Sequence, residues 1–82
     1  MLYTHDEVLK HNTQQDCWLI AHNRVYNVTE FLQLHPEHME RIMNKAGKDV
    51  TFDYNFHTPS QKKIWNKYKI GYIQREDMCS FL

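Results

Sequence analysis

Glycine, proline and cysteine are each present only twice in this 82-residue chain, and neither sign of charge is in excess. Each shortage removes a class of protein. Cys17 and Cys79 are too few for a disulfide framework, which excludes a small bridge-stapled scaffold and leaves a reduced, cytoplasmic compartment as the expectation. Lys plus Arg number 10 and so do Asp plus Glu, so the chain holds neither a polycation suited to nucleic acid nor an acidic tail. No apolar run approaches the roughly 18 residues that a membrane span needs. Met1 to Asp6 also lacks a charged and then apolar leader, so neither a span nor a secretion signal is expected. Without a leader, the Asn27-Val28-Thr29 sequon reads as silent. There are no repeats and no low-complexity stretches.

What the chain has in plenty is histidine, at six residues, and aromatics, at 13%. A single domain this short sits near the lower limit at which burial alone stabilises a fold, and a cofactor bound in the core would help to hold it together. His5, His11 and His22 read as surface residues. His35, His38 and His57 need their positions to decide them.

Leu2-Tyr3 reads as an edge strand. Thr4 and Glu7 then form a capping box for a short helix running to about Lys10 or His11. Asn12 to Asp16 is a polar loop. Cys17 to Ala21 is a buried strand, His22-Asn23 a turn, and Arg24 to Val28 the returning strand. Thr29 caps a helix through Leu34. Pro36 opens another helix, with Met39, Ile42 and Met43 at helical spacing and Gly47 as its left-handed cap. Asp49 caps a segment containing Val50, Phe52 and Tyr54. Ser60 to Tyr68 is the last helix, and Lys69 to Ile73 closes as a strand. The class is α+β, with helical pairs at about 29–45 and 49–68 between strands.

His35 and His57 stand one in each helical pair, among Phe31, Leu32, Ile42, Tyr54, Phe56, Ile64, Tyr68 and Ile70. Two inward imidazoles across an apolar gap suit a flat iron porphyrin. Spacing alone leaves open an ordinary core with two exposed histidines.

Resemblance separates the two. Tyr3-Thr4, Glu7-Val8, His11-Asn12, Cys17-Trp18-Leu19-Ile20, Val25 to Leu32 and His35-Pro36 resemble the first half of a cytochrome b5 domain without a gap. Ala46-Gly47, Asp49, Thr51, His57-Thr58 and Tyr68 to Ile73 resemble the second half, with both glycines in family positions. The resemblance covers about residues 2–73.

It implies a small mixed sheet with two helical hairpins forming a haem slot. His35 and His57 would be the axial ligands of one non-covalent haem b. Their second ring nitrogens would donate to carbonyls, those of His38 and Tyr54. Thr58 would meet a propionate. Phe31, Ile42, Tyr54, Ile64, Tyr68 and Ile70 would line the pocket, and Trp18 would belong to a second core beyond the sheet.

Three departures stand out. The family's His-Pro-Gly-Gly is His35-Pro36-Glu37-His38 here, which removes backbone freedom at the turn. The segment before His57 is a residue or two short, so Phe56 must do the packing of a longer loop. Arg41 replaces an apolar pocket-edge residue and reads as solvated. His38, three residues after His35, has zinc-like spacing, but two ligands make a poor zinc site.

The implied function is a monomeric one-electron carrier, not itself an enzyme, docking transiently with a reductase and an acceptor protein. The alternative is a haem-free interaction or lipid-binding module. Residues 1–74 would form the domain and 75–82 a loose tail. Starting at Met1 leans toward a free-standing protein. Between His35 and Lys63, Glu37, Glu40, Asp49 and Asp53 face Arg41, Lys45, Lys48, Lys62 and Lys63, so no one-signed docking face is written there.

Overall fold

A computed structural model describes residues 1–74; the tail expected over 75–82 lies outside the described residues. The five strands are β1 (Leu2–Tyr3), β2 (Asn12–Thr13), β3 (Asp16–Ala21), β4 (Arg24–Asn27) and β5 (Lys69–Ile73). They form one sheet in the order β1-β5-β4-β3-β2, with β1 and β5 parallel and the other neighbours antiparallel. The first and last strands of the chain thus pair side by side, and the helices fill the excursion between β4 and β5. The mixed sheet and α+β class agree with the sequence reading. The polar loop expected at Asn12 to Asp16 instead supplies β2, which pairs with the start of β3.

Strand alternation sorts the core into two. From β3, Cys17, Leu19 and Ala21 join Tyr26, Val28, Leu32, Ala46, Val50 and Tyr54 on the face toward the helical pairs. Trp18 and Ile20 join Val8, Val25 and Ile73 on the other face, under the first helix. Trp18 therefore belongs to the second core, as expected. The β3–β4 turn places His22 and Asn23 both at positive φ, 52° and 63°, the geometry of a tight two-residue hairpin.

The helices are α1 (His5–Leu9), α2 (Thr29–Leu34), α3 (Met39–Met43), α4 (Thr51–Asn55) and α5 (Pro59–Asn66), with a 3-10 turn over Pro36–His38. Their caps differ from the sequence reading in four places. Thr4 does cap α1, accepting from the Glu7 N–H at 3.0 Å, but the Glu7 carboxylate turns to His11 Nε2 at 2.8 Å instead of reaching back. Thr29 is not a cap; its hydroxyl accepts from the Cys17 N–H and donates to Asn27 Oδ1, tying α2 to the sheet. The helix expected from Pro36 to Ala46 is a 3-10 turn and one short α-helix that ends at Met43. The complete capping box is at Thr58 and Gln61, and it starts α5 one residue earlier than Ser60.

Gly47 is left-handed as expected, at φ 78°, although it lies in the turn beyond α3. A Cβ there would also stand 3.0 Å from the Leu9 Cα, so α1 packs where only glycine fits. At Gly71 a Cβ would lie 2.5 Å from the Met1 carbonyl oxygen, which is why β1 can lie against β5.

His11 is not a free surface residue. Its ring stacks on Trp18, centroids 3.6 Å apart, with Nδ1 2.7 Å from Asp16 Oδ2 and Nε2 2.8 Å from Glu7 Oε2. Burial opposes its charge, but the two carboxylates outweigh it and raise the imidazole above its ordinary 6.5. A raised folded-state pKa adds stability that is complete below about pH 6.5 and fades as pH rises through the folded value. Both carboxylates are nearly half exposed, so the gain is small, at most about 1 kcal/mol. Urea unfolding should show His11→Gln destabilised at pH 6, with its deficit shrinking by pH 8. A deficit that does not change with pH would refute the two-carboxylate account.

Candidate haem site

The two prolines set the positions of the two histidines. A residue before proline is driven out of the α region, so α2 stops at Leu34 and His35 takes φ −132°, ψ 67° ahead of Pro36. Likewise Thr58 is extended, at φ −71°, ψ 163°, ahead of Pro59, and His57 falls in the short link between α4 and α5. Each imidazole thus sits at the bend of one helical pair.

Both open on one cleft of about 560 Å³, within the range of small-molecule and cofactor sites. Its floor is Leu19, Val28 and Val50, and its walls include Phe31, Ile42, Ile64, Trp65 and Tyr68. Of the ten residues expected to contact cofactor, Phe31, His35, Ile42, Phe56, His57, Ile64 and Tyr68 line it.

The other three stand elsewhere. Tyr54 is buried behind the cleft, 5.0 Å from the Trp65 ring, because the helical period of α4 turns Asp53 toward the opening and Tyr54 inward. Ile70 packs on the opposite face with the Val25 cluster. It sits where the pairing slips, Val25 opposing Gly71 and Tyr26 opposing Lys69. Thr58 caps α5, its Oγ1 accepting from the Gln61 N–H at 3.2 Å, and is not at the cleft. Phe56 lines the rim yet is 74% exposed, stacked edge-on against Phe52 at 5.0 Å, so it packs the short loop only loosely.

Trp65, Val50 and Leu19 were not expected at the cleft. The parity of β3 was the available signal for Leu19, since it must face away from Trp18. His38 and Arg41 line the cleft too.

The ring nitrogens define the chemistry. His57 Nδ1 lies 2.9 Å from the Asp53 carbonyl, one residue before the Tyr54 carbonyl that was expected. A carbonyl only accepts, so Nδ1 carries the proton and the neutral ring keeps its lone pair on Nε2. The Trp65 ring meets the imidazole edge-to-face at 5.4 Å and fixes its plane. His35 Nδ1 lies 3.5 Å from the Glu37 carboxylate instead of meeting the His38 carbonyl, and its ring lies over Phe31 at 4.6 Å. Glu37 is held below the ordinary carboxylate range, first by its own backbone N–H and then by the His35 side chain. On Cys17, burial foremost pushes the thiol up to about 11, so it stays protonated and inert in the core at neutral pH.

Two imidazoles with their second nitrogens engaged, opening on a shared apolar cleft, define a domain built to grip a flat metal cofactor from two sides. A profile of the cytochrome b5-like haem/steroid binding domain matches residues 4–74, and the chain belongs to this family. It is 41% identical over 80 residues to a cytochrome b5 of Drosophila melanogaster, covering 95% of this chain and 60% of that protein. It is 36% identical to a Delta(5) fatty acid desaturase A of Dictyostelium discoideum, over 98% of this chain but 18% of the desaturase. The solved cytochrome b5 of Ostreococcus tauri virus 2 superposes with a TM-score of 0.76 at 35% identity, covering 88% of this chain and 95% of that one. The chain spans little more than half the length of the curated cytochromes b5 that it matches. The family's cofactor is b-type haem, and the residues present fit it: the cleft is apolar-walled and offers imidazoles from both helical pairs.

Trp65 joins the two halves of the site, touching Tyr26 at 5.0 Å as well as Tyr54 and His57. Because it is only partly buried, Trp65→Ala should cost about 2–3 kcal/mol, below the usual loss for a core tryptophan. Denaturant titration checks this, and a loss under 1 kcal/mol would mean that Trp65 does not brace the cleft.

Proposed function

We propose that this chain is a one-electron carrier that holds one b-type haem between His35 and His57. The observation that carries the reading is the placing of the two imidazoles, one at each helical bend, on a single apolar cleft. The haem, when bound, supplies an iron that changes charge by one electron. The chain's part is to hold the ligands still while that happens. His57 is fixed by the Asp53 carbonyl and the Trp65 ring, and His35 by Phe31 and the Glu37 carboxylate. Two imidazoles fill both axial positions, so no site is left for oxygen or a substrate, and the apolar walls keep water away. Such a domain needs a reductase and an acceptor as transient partners, and no substrate pocket of its own.

The test is spectroscopic. The haem-loaded protein should be six-coordinate and low-spin in both oxidation states and should resist carbon monoxide. His35→Ala and His57→Ala should each become five-coordinate or lose haem. Retention of the low-spin six-coordinate spectrum by His57→Ala would remove the assignment.

Charge around the cleft bears on partners. Lys45 is paired with Asp53, and both signs are represented on the helical pairs. Steering by long-range charge needs a one-signed face, and its salt dependence is then steep. Electron transfer to a strongly cationic acceptor should therefore vary less than about threefold between low and physiological salt. A tenfold fall would reveal an acidic docking face.

A further inference from the structure

We propose that Arg41 anchors an anionic side group of the bound porphyrin and so helps to decide which porphyrin the cleft accepts. The inference rests on the haem reading above and deepens it. Three formally charged side chains line the cleft: Arg41, Lys45 and Asp53. Lys45 Nζ and the Asp53 carboxylate are paired with each other and cancel. Arg41 has neither an ion pair nor a side-chain hydrogen bond among the described residues, yet its guanidinium borders a mostly apolar cleft.

The cleft thus offers one uncompensated positive charge. The cofactor brings the complement, because b-type haem carries two propionates that are ionised at neutral pH.

The obvious neutral partner is already engaged. Thr58 Oγ1 and Gln61 Oε1 each accept from the other's backbone N–H, at 3.2 and 2.9 Å, completing the capping box of α5. Thr58 does not face the cleft, whereas Arg41 does. Arg41 follows His38 by three residues and precedes Lys45 by four, so these cleft residues share one side of α3 and its flanking turns. A guanidinium there meets a carboxylate with two parallel N–H donors, which a lysine cannot reproduce. The same residue that reads as solvated by sequence alone therefore has a specific ligand group to meet.

The experiment separates charge from packing by changing the ligand as well as the protein. Wild type, Arg41→Lys and Arg41→Met are titrated by absorbance with haem and with its neutral dimethyl ester. Arg41 is solvent-exposed, so its ion pair is modest: Arg41→Met should weaken haem binding roughly fivefold. Arg41→Lys should fall between, and all three proteins should bind the ester equally, which also shows that the cleft is intact. Unchanged haem affinity in Arg41→Met would overturn the proposal. An equal loss for haem and ester would overturn it as well, by making Arg41 a packing residue. Failure of wild type to bind either porphyrin would instead overturn the haem reading itself, and the anchor with it.

Discussion

The 2.9 Å hydrogen bond from His57 Nδ1 to the Asp53 carbonyl is the constraint on which the site depends. A neutral imidazole has one donor and one acceptor, and this bond commits the donor to the backbone. The lone pair left on Nε2 is what a metal requires. Asp53 performs a second task with its side chain, pairing with Lys45 beyond the end of α3. One residue of α4 thus orients a ligand and ties the two helical pairs across the cleft. Were α4 to fray, the imidazole and the cleft would go together.

The sheet makes this possible in so short a chain. The alternation of β3 divides the buried residues between two faces, so Trp18 and Ile20 hold α1 while Leu19 floors the cleft. The second core needs no cofactor and gives the sheet a rigid back. The face toward the helical pairs is different in kind, because Phe31, Met39, Ile42, Met43, Trp65 and Tyr68 are only partly buried against it. Apolar surface left facing a cleft is a standing cost, and a flat apolar ligand removes it. The fold is thus complete on one side of the sheet and waits for its cofactor on the other.

Much of this was legible in the sequence, and the misses have physical causes. The strand boundaries, the hairpin at His22-Asn23 and the left-handed Gly47 follow from short-range chemistry and fell where expected. Capping was less legible, because a side chain such as Glu7 or Thr29 has several possible partners and tertiary contacts choose among them. Glu7 found His11, and Thr29 found the backbone of Cys17. The pocket list failed where it relied on family position without local periodicity. A shortened approach to His57 rotates α4, so Asp53 takes the carbonyl role expected of Tyr54, and Trp65 stands in the cleft where Tyr54 does not. Ile70 moved with an irregular strand register, which no local pattern announces.

The central claim, that the helical face is built around a cofactor, is tested most directly by melting the protein with and without haem. Binding to the folded state at a thousandfold above the dissociation constant adds ~4 kcal/mol. For a domain of this size that raises the melting temperature by roughly 15–30 °C. The account predicts a shift of that order, with the haem-free protein losing hydrogen-exchange protection in α2 to α5 while the sheet and α1 keep theirs. Equal melting temperatures with and without haem would contradict it.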